Sequence, residues 1–141
     1  MKLQIVRTRP IGELQQEFAN QFPFLKIEFL RYSQPGSGKY RPATNLPSTL
    51  RVGYCQGKIV EGEMTLTEDT RVSELENNFR KDFFLNVQVF RKSGGVWLQT
   101  TMTDKWTLKQ QNEHGKEIAS ENKKPLIDES TEYDLTRDAN R

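Results

Sequence analysis

Apolar residues recur along this chain in two stretches with the same rhythm. They fall at Ile11, Leu14, Phe18 and Phe22, and again at Val72, Leu75, Phe79 and Phe83. Steps of three, four and four put each set on one face of an α-helix. Each stretch carries a Glu-Leu pair, Glu13-Leu14 and Glu74-Leu75, and leads into a run of alternating apolar and polar residues. Those runs, Leu25-Lys-Ile-Glu-Phe-Leu-Arg31 and Leu85-Asn-Val-Gln-Val-Phe-Arg91, have the period of a half-buried strand, and both end in arginine. Ahead of the helices, Leu3 and Ile5 align with Met64 and Leu66 at an offset of 61 residues, which drops to 60 after Pro23. The pattern predicts a tandem β-α-β unit, with copies at residues 1–31 and 62–91.

Local signals fill in the remainder. Thr8 is a predicted cap for the first helix, with Pro10 in its first turn. Asp69 or Thr70, or the box Ser73-Glu-Leu-Glu76, serves the second. Between the copies, residues 32–49 hold Gly36, Gly38, Pro35, Pro42 and Pro47 and read as one long loop. Leu50–Cys55 reads as an extra strand, paired with residues 62–67 across the turn Gln56-Gly57-Lys58. Ser93-Gly94-Gly95 predicts a tight hairpin whose returning strand is Val96–Met102. Thr107-Leu-Lys-Gln110 opens a short last helix, with Gly115 as its stop. Residues 1–118 then form a single α+β domain. Residues 119–141, where only Leu126, Ile127, Tyr133 and Leu135 interrupt polar side chains, read as a tail that is flexible or ordered on a partner.

Two such units in tandem favour a ferredoxin-like two-layer sandwich, with both long helices on one face of an antiparallel sheet and the hairpin and last helix added at its edges. Residues 50–102 alone offer a rival. Their hairpin, the segment Thr67-Glu-Asp-Thr-Arg-Val-Ser-Glu-Leu75, a helix and two more strands resemble a ubiquitin-like β-grasp. The chain departs from that pattern in ending Asp138-Ala-Asn-Arg141 rather than Gly-Gly. The stretch from Arg91 to Trp106, Arg-Lys-Ser-Gly-Gly-Val-Trp-Leu-Gln-Thr-Thr-Met-Thr-Asp-Lys-Trp, is similar to a family of small conserved bacterial proteins of no assigned function. That likeness implies a bacterial cytosolic protein and no particular chemistry.

Composition narrows the classes of function. The 141 residues are 34% hydrophobic and 28% charged, enough for one core. The net charge of +2 is too small to imply nucleic acid by itself. Residues 1–118 carry 17 basic and 13 acidic side chains, and residues 119–141 carry 4 and 6. Cys55 is the only cysteine, so the chain has no internal disulfide and needs no oxidising compartment. Met1-Lys-Leu-Gln-Ile-Val-Arg7 is too short and polar for a signal peptide, and no apolar run is long enough to span a bilayer. A cytoplasmic protein without a membrane partner is expected.

Candidate chemistry is sparse. Gly36-Ser-Gly-Lys39 imitates a phosphate loop, but Ser33 stands at the first glycine position, Tyr40 replaces the Ser/Thr, and Pro35 removes a backbone donor. The same region makes a better basic surface. No acid occurs between Glu28 and Glu61, while Arg31, Lys39, Arg41, Arg51 and Lys58 are interleaved with Tyr32, Tyr40 and Tyr54. Lys39, Tyr40 and Arg41 are its first candidate contacts; a solvated connector is the alternative. Strand parity supplies a second surface. With Leu85, Val87 and Val89 inward, Phe90 faces out; Trp97 also faces out, while Val96, Leu98 and Met102 face inward. Phe90 and Trp97 then meet on the open sheet face, where RNA-recognition domains stack bases, or lie covered by the last helix, the loop or another subunit. The aromatic-rich motif of those domains is absent. His114, the sole histidine, and Cys55 form no metal spacing, and no cofactor or metal is expected.

The leading expectation is a non-enzymatic protein-binding or adaptor module, with self-association as one form of it. The alternative is a nucleic-acid-binding module using residues 31–58 and the outward aromatics. The third is a small enzyme without a recognisable motif, for which Cys55 and His114 would have to share a pocket.

Overall fold

A computed structural model describes residues 1–32 and 43–123. The first half runs β1 (Lys2–Ile5), α1 (Ile11–Gln21), β2 (Leu25–Tyr32), β3 (Ala43–Asn45) and a 3-10 turn at Val52–Tyr54. The second runs β4 (Gly62–Thr65), α2 (Val72–Phe83), β5 (Asn86–Ser93), β6 (Val96–Gln99), a 3-10 turn at Thr101–Thr103, and α3 (Leu108–Lys123). The fold is mixed α+β. No described helix is long and apolar enough to cross a membrane.

The helix stripes do what their spacing demands. Ile11, Leu14, Phe18 and Phe22 are buried on α1 and at its end, as are Val72, Leu75, Phe79 and Phe83 on α2. Leu25, Ile27 and Phe29 of β2 and Val87 and Val89 of β5, with Leu85 just before it, close over them from the sheet. Rings interlock within and between copies: Phe18 on Phe22, Phe79 on Phe83, and Phe29 edge-on to Phe79 with centroids 5.7 Å apart. Fully burying one such side chain contributes roughly 1.5–3 kcal/mol.

The strands form two antiparallel sheets rather than one. β1 pairs with β4, and the larger, curled sheet has the order β3-β2-β5-β6. Both cross-copy pairings are centred on equivalent residues. Leu3 opposes Met64 in the first sheet, and Glu28 opposes Gln88 in the second. The two copies are thus related by a pseudo-two-fold axis through both pairings.

The repeat also extends beyond the β-α-β unit. The N-terminus of α1 donates from Ile11 to the Leu50 carbonyl and from Gly12 to that of Ser48, each at 2.9 Å. At α2 the equivalent donors Val72 and Ser73 reach Trp106 and Asp104 at 3.0 and 2.8 Å. In return Val52 donates to Arg9 and Gly53 to Arg7, while Leu108 donates to Thr70 and Lys109 to Glu68. The bridges Pro10–Arg51 and Arg71–Thr107 repeat the same contact. Each copy is therefore a β-α-β-β unit ending in a helical turn.

Several expectations need correcting. Pro10, not Thr8, precedes α1, and remote carbonyls satisfy its first amides instead of a side-chain cap. Arg71 precedes α2, and its N–H donates to the Glu74 carboxylate at 2.8 Å. Residues 52–54 form a 3-10 turn rather than a strand, and residues 62–65 pair with β1 rather than with that turn. The return strand after Gly94-Gly95 stops at Gln99. The predicted box at Thr107 does form: Thr107 N–H donates to Gln110 Oε1 at 2.8 Å, and Gln110 N–H returns to Thr107 Oγ1 at 3.1 Å. Gly115 does not stop α3, which continues to Lys123.

Candidate binding surface

Side chains on paired strands share a face when they stand directly opposite one another. On the side of the larger sheet away from α1 and α2, Lys26 opposes Phe90, Phe90 opposes Gln99, and Lys92 opposes Trp97. Phe90 and Trp97 thus lie on the outer face, as parity predicts. Lys26 joins them: its Nζ is 5.4 Å from the Phe90 ring centroid and 5.0 Å from that of Trp97. Lys92 Nζ approaches the Trp97 ring from 5.9 Å. Cations over aromatic faces at these separations are electrostatically attracted, by about 0.5–1 kcal/mol where water has access. Glu28 Oε2, 3.1 Å from Lys26 Nζ, is the acid that tempers this patch.

β6 borders the patch and is the edge of its sheet. Relative exposures are 57% for Val96, 37% for Trp97, 43% for Leu98 and 96% for Met102. Val96 and Leu98 have the inward parity expected of them, opposing Ser93 and Arg91, but they are not buried. Met102 lies past the end of the strand in a 3-10 turn, not in β6. The hairpin explains the backbone. Lys92 N–H donates to the Phe24 carbonyl at 2.9 Å, so Arg91 and Ser93 turn their polar groups toward β6 and bond Leu98 and Val96. Trp97 and Gln99 consequently aim their N–H and C=O groups at the open edge.

The pseudo-symmetric counterpart of this surface is different. At the other end of the same sheet Leu30 replaces Phe90, Tyr32 replaces Lys92, Ala43 replaces Trp97 and Asn86 replaces Lys26. These four positions thus hold one ring and no base, against two rings and two lysines at the Trp97 end. Lys26 and Lys92 escaped the sequence reading because their place beside Trp97 depends on the cross-copy register. The equivalence of Glu28 and Gln88, had it been used to set that register, would have revealed both. Lys39, Tyr40 and Arg41 lie outside the described residues.

The remaining reactive groups stand apart from this surface. Burial pushes the Cys55 thiol up to about 11, against a smaller opposing effect of Arg31, and its Sγ faces the Arg51 carbonyl at 3.8 Å. His114 lies in α3, edge-to-face with Trp106 at 5.5 Å, beside a shallow cleft of about 260 Å³ that it lines with Gln110, Glu113 and Glu117. Cys55 is not among the residues of that cleft. The two arginines that end the repeated strands have matching structural duties. Arg31 donates to the carbonyls of Tyr54 and Cys55. Arg91 donates to Oε1 of the buried Gln111 at 2.8 Å, and Gln111 in turn donates to the Thr103 carbonyl and hydroxyl, both at 2.8 Å. Among the described residues no group of three or more His, Cys, Asp or Glu side chains is placed to hold a metal ion.

No family model matches this chain, and neither a curated protein nor a solved structure gives a match.

Proposed function

We propose that this chain is a non-enzymatic protein-binding module, an adaptor that takes an extended segment of a partner along β6 and across the neighbouring outer face. One observation carries the reading: an apolar edge strand, exposed on both faces, adjoins an aromatic-cationic cluster. Exposed apolar edges template pairing with another chain, and natural proteins usually blunt them with charge, proline or a covering element. Here the backbone groups of Trp97 and Gln99 supply the ladder, while Val96 and Leu98 on one face and Trp97 on the other supply side-chain specificity. We read the scaffold as a ferredoxin-like pair of β-α-β units curled until the second strands of the two copies meet, its sheet divided in two. The antiparallel β1–β4 centre supports that finer reading. A cytoplasmic setting accompanies it, since a lone buried thiol suits a reducing compartment.

Selection of displayed random 12-residue peptides against the full chain tests the proposal. Selected peptides should lose about tenfold or more in affinity on Trp97→Ala, a change of roughly 1.4 kcal/mol. Gln99→Pro, which removes an N–H aimed at the open edge, should weaken them similarly while leaving the thermal midpoint nearly unchanged. Peptides that bind both variants as tightly as the parent would place the partner site elsewhere. The second reading, a nucleic-acid-binding module, draws support from Lys26 and Lys92 beside two stackable rings. Under that reading a single-stranded oligonucleotide binds with an affinity that falls steeply with salt, and peptides do not compete for the site.

A further inference from the structure

Among the described residues Phe84 is the one non-glycine with a left-handed backbone, at φ 59°. It caps the end of α2: its N–H returns to the Arg80 carbonyl at 3.1 Å, and that of Leu85 to Phe79 at 3.0 Å. Glycine suits this position best, and a phenylalanine here costs backbone energy. Burial of the side chain offsets that cost only in part, since the residue remains 44% exposed.

The counterpart of Phe84 in the first copy is Phe24, which α3 covers. Phe24 N–H donates to Asn112 Oδ1 at 2.8 Å, and Gly115 lies against its Cβ. The element equivalent to the start of α3 is the 3-10 turn Val52–Tyr54, from which the chain must turn away to reach β4 at Gly62. No helix therefore continues over Phe84. Gln56, Gly57 and Lys58 instead border an open cleft of about 330 Å³ with Arg80, Phe84 and Asn86.

The cleft is lined by two bases, two amides and an exposed ring, and by no acid. Lys58 Nζ stands 5.2 Å from the Phe84 ring centroid. Arg80 donates to Asn77 Oδ1, and neither base forms an ion pair with a described acid. Glu76, one turn before Arg80, feels its charge but is held by Val89 N–H. The C-terminus of α2 adds about half a negative charge, less than the two whole positive ones. A cation this close to an exposed ring fits a ligand whose anionic group adjoins a planar one. Two bases match the double charge of a phosphate monoester, and the Gln56 and Asn86 amides can bond the polar edge of a heterocycle. The volume lies within the range of small-molecule sites.

We propose that this cleft binds a nucleoside monophosphate, with its base on Phe84 and its phosphate at Lys58 and Arg80. The site lies at the opposite end of β5 from Trp97, about 20 Å away between Asn86 and Lys92, and does not depend on the reading of β6.

Titration of the full chain with adenosine monophosphate, followed by amide nuclear magnetic resonance, tests this. Shifts at Gly57, Lys58 and Asn86 should saturate with a Kd below about 1 mM. Inorganic phosphate and adenosine should each bind at least about tenfold more weakly, since each lacks half of the contacts. Lys58→Gln and Arg80→Gln should each weaken the nucleotide about fivefold or more. Phe84→Gly, which suits the left-handed backbone, should weaken it about tenfold while the thermal midpoint stays within about 5 °C of the parent's. Trp97→Ala should leave the affinity unchanged. The absence of saturable shifts at these amides would overturn the proposal, as would phosphate alone binding equally well. Benzoate binding as tightly as the nucleotide would overturn the assignment of a phosphate. Binding that depends on Trp97 and not on Phe84 would overturn the site and favour the nucleic-acid reading of the outer sheet face.

Discussion

Glu76 and Gln15 occupy equivalent positions on α2 and α1, and the difference between them has a measurable consequence. Gln15 Nε2 donates to the Ile27 carbonyl at 2.9 Å, while the Glu76 carboxylate accepts from Val89 N–H at 3.0 Å. Burial pushes the Glu76 carboxyl above its usual value of 4.5; the Val89 N–H opposes this, nearby Asp104 adds to it, and Arg80 opposes it. A carboxyl with a raised folded-state pKa binds more protons folded than unfolded. Stability therefore falls as pH rises from the unfolded value through the folded one, and the loss is complete above it. Glu76→Gln, which gives α2 the residue of its counterpart, removes the charge and keeps an oxygen for Val89. The thermal midpoint of this variant should exceed the parent's at pH 7 and converge with it below pH 4.5. A lower midpoint at pH 7, or a constant difference across pH, would show that the carboxylate is not destabilising the fold.

At the scale of elements, Gly115 separates what local sequence dictates from what packing dictates. A glycine after a capping box reads as a helix stop, yet α3 passes through it because Phe24 and the end of β5 lie against that point. Phe24 cannot retreat easily: its N–H donates to Asn112 Oδ1 at 2.8 Å, one turn earlier on α3. Gly115→Ala gains about 1 kcal/mol of helix propensity but forces an overlap costing roughly 1–3 kcal/mol, so the variant should lose about 1 kcal/mol in denaturant unfolding. Gly57→Ala, with nothing within 4 Å, should change stability by no more than a few tenths and controls for the substitution. An unchanged Gly115→Ala would mean that α3 is not pressed on β5. The same distinction explains what was legible beforehand. Both helix stripes and the β2 and β5 faces follow from residues a few positions apart, so the sequence shows them directly. The helix N-termini do not: carbonyls at Ser48 and Leu50, and at Asp104 and Trp106, come from more than 30 residues away. β3 and the true partner of β4 are hidden for the same reason. Of the binding surface, the outward parity of Phe90 and Trp97 was readable, whereas Lys26 enters only through the β2–β5 register.

For the whole molecule, the pseudo-two-fold axis predicts where the fold can be divided. Both pairings between copies are strand ladders, Lys2–Ile5 with Gly62–Thr65 and Leu25–Leu30 with Asn86–Arg91, and the Phe29–Phe79 contact crosses between copies as well. Separated, each half leaves its first strand unpaired, its second strand open on one edge and the apolar face between them partly uncovered, which so small a unit cannot offset. Within each half, however, the helix N-terminus and the returning segment remain joined by four backbone hydrogen bonds. A break between Val60 and Glu61 falls between exposed residues and cuts none of those bonds. Residues 1–60 and 61–141 expressed separately should therefore give far-ultraviolet circular dichroism of largely unfolded chains. Mixed, they should recover the spectrum of the intact protein and sediment as a 1:1 complex. Because Leu3 meets Met64 and Glu28 meets Gln88 across the axis, the second half at high concentration should also pair with itself, Met64 against Met64 and Gln88 against Gln88. That homodimer should be weaker than the heterodimer, since the smaller Val89 would stand where Phe29 meets Phe79 across the axis. If either half folds alone as a monomer, the copies are independent domains; if the mixture stays unfolded, the axis relates shapes without supplying the interface.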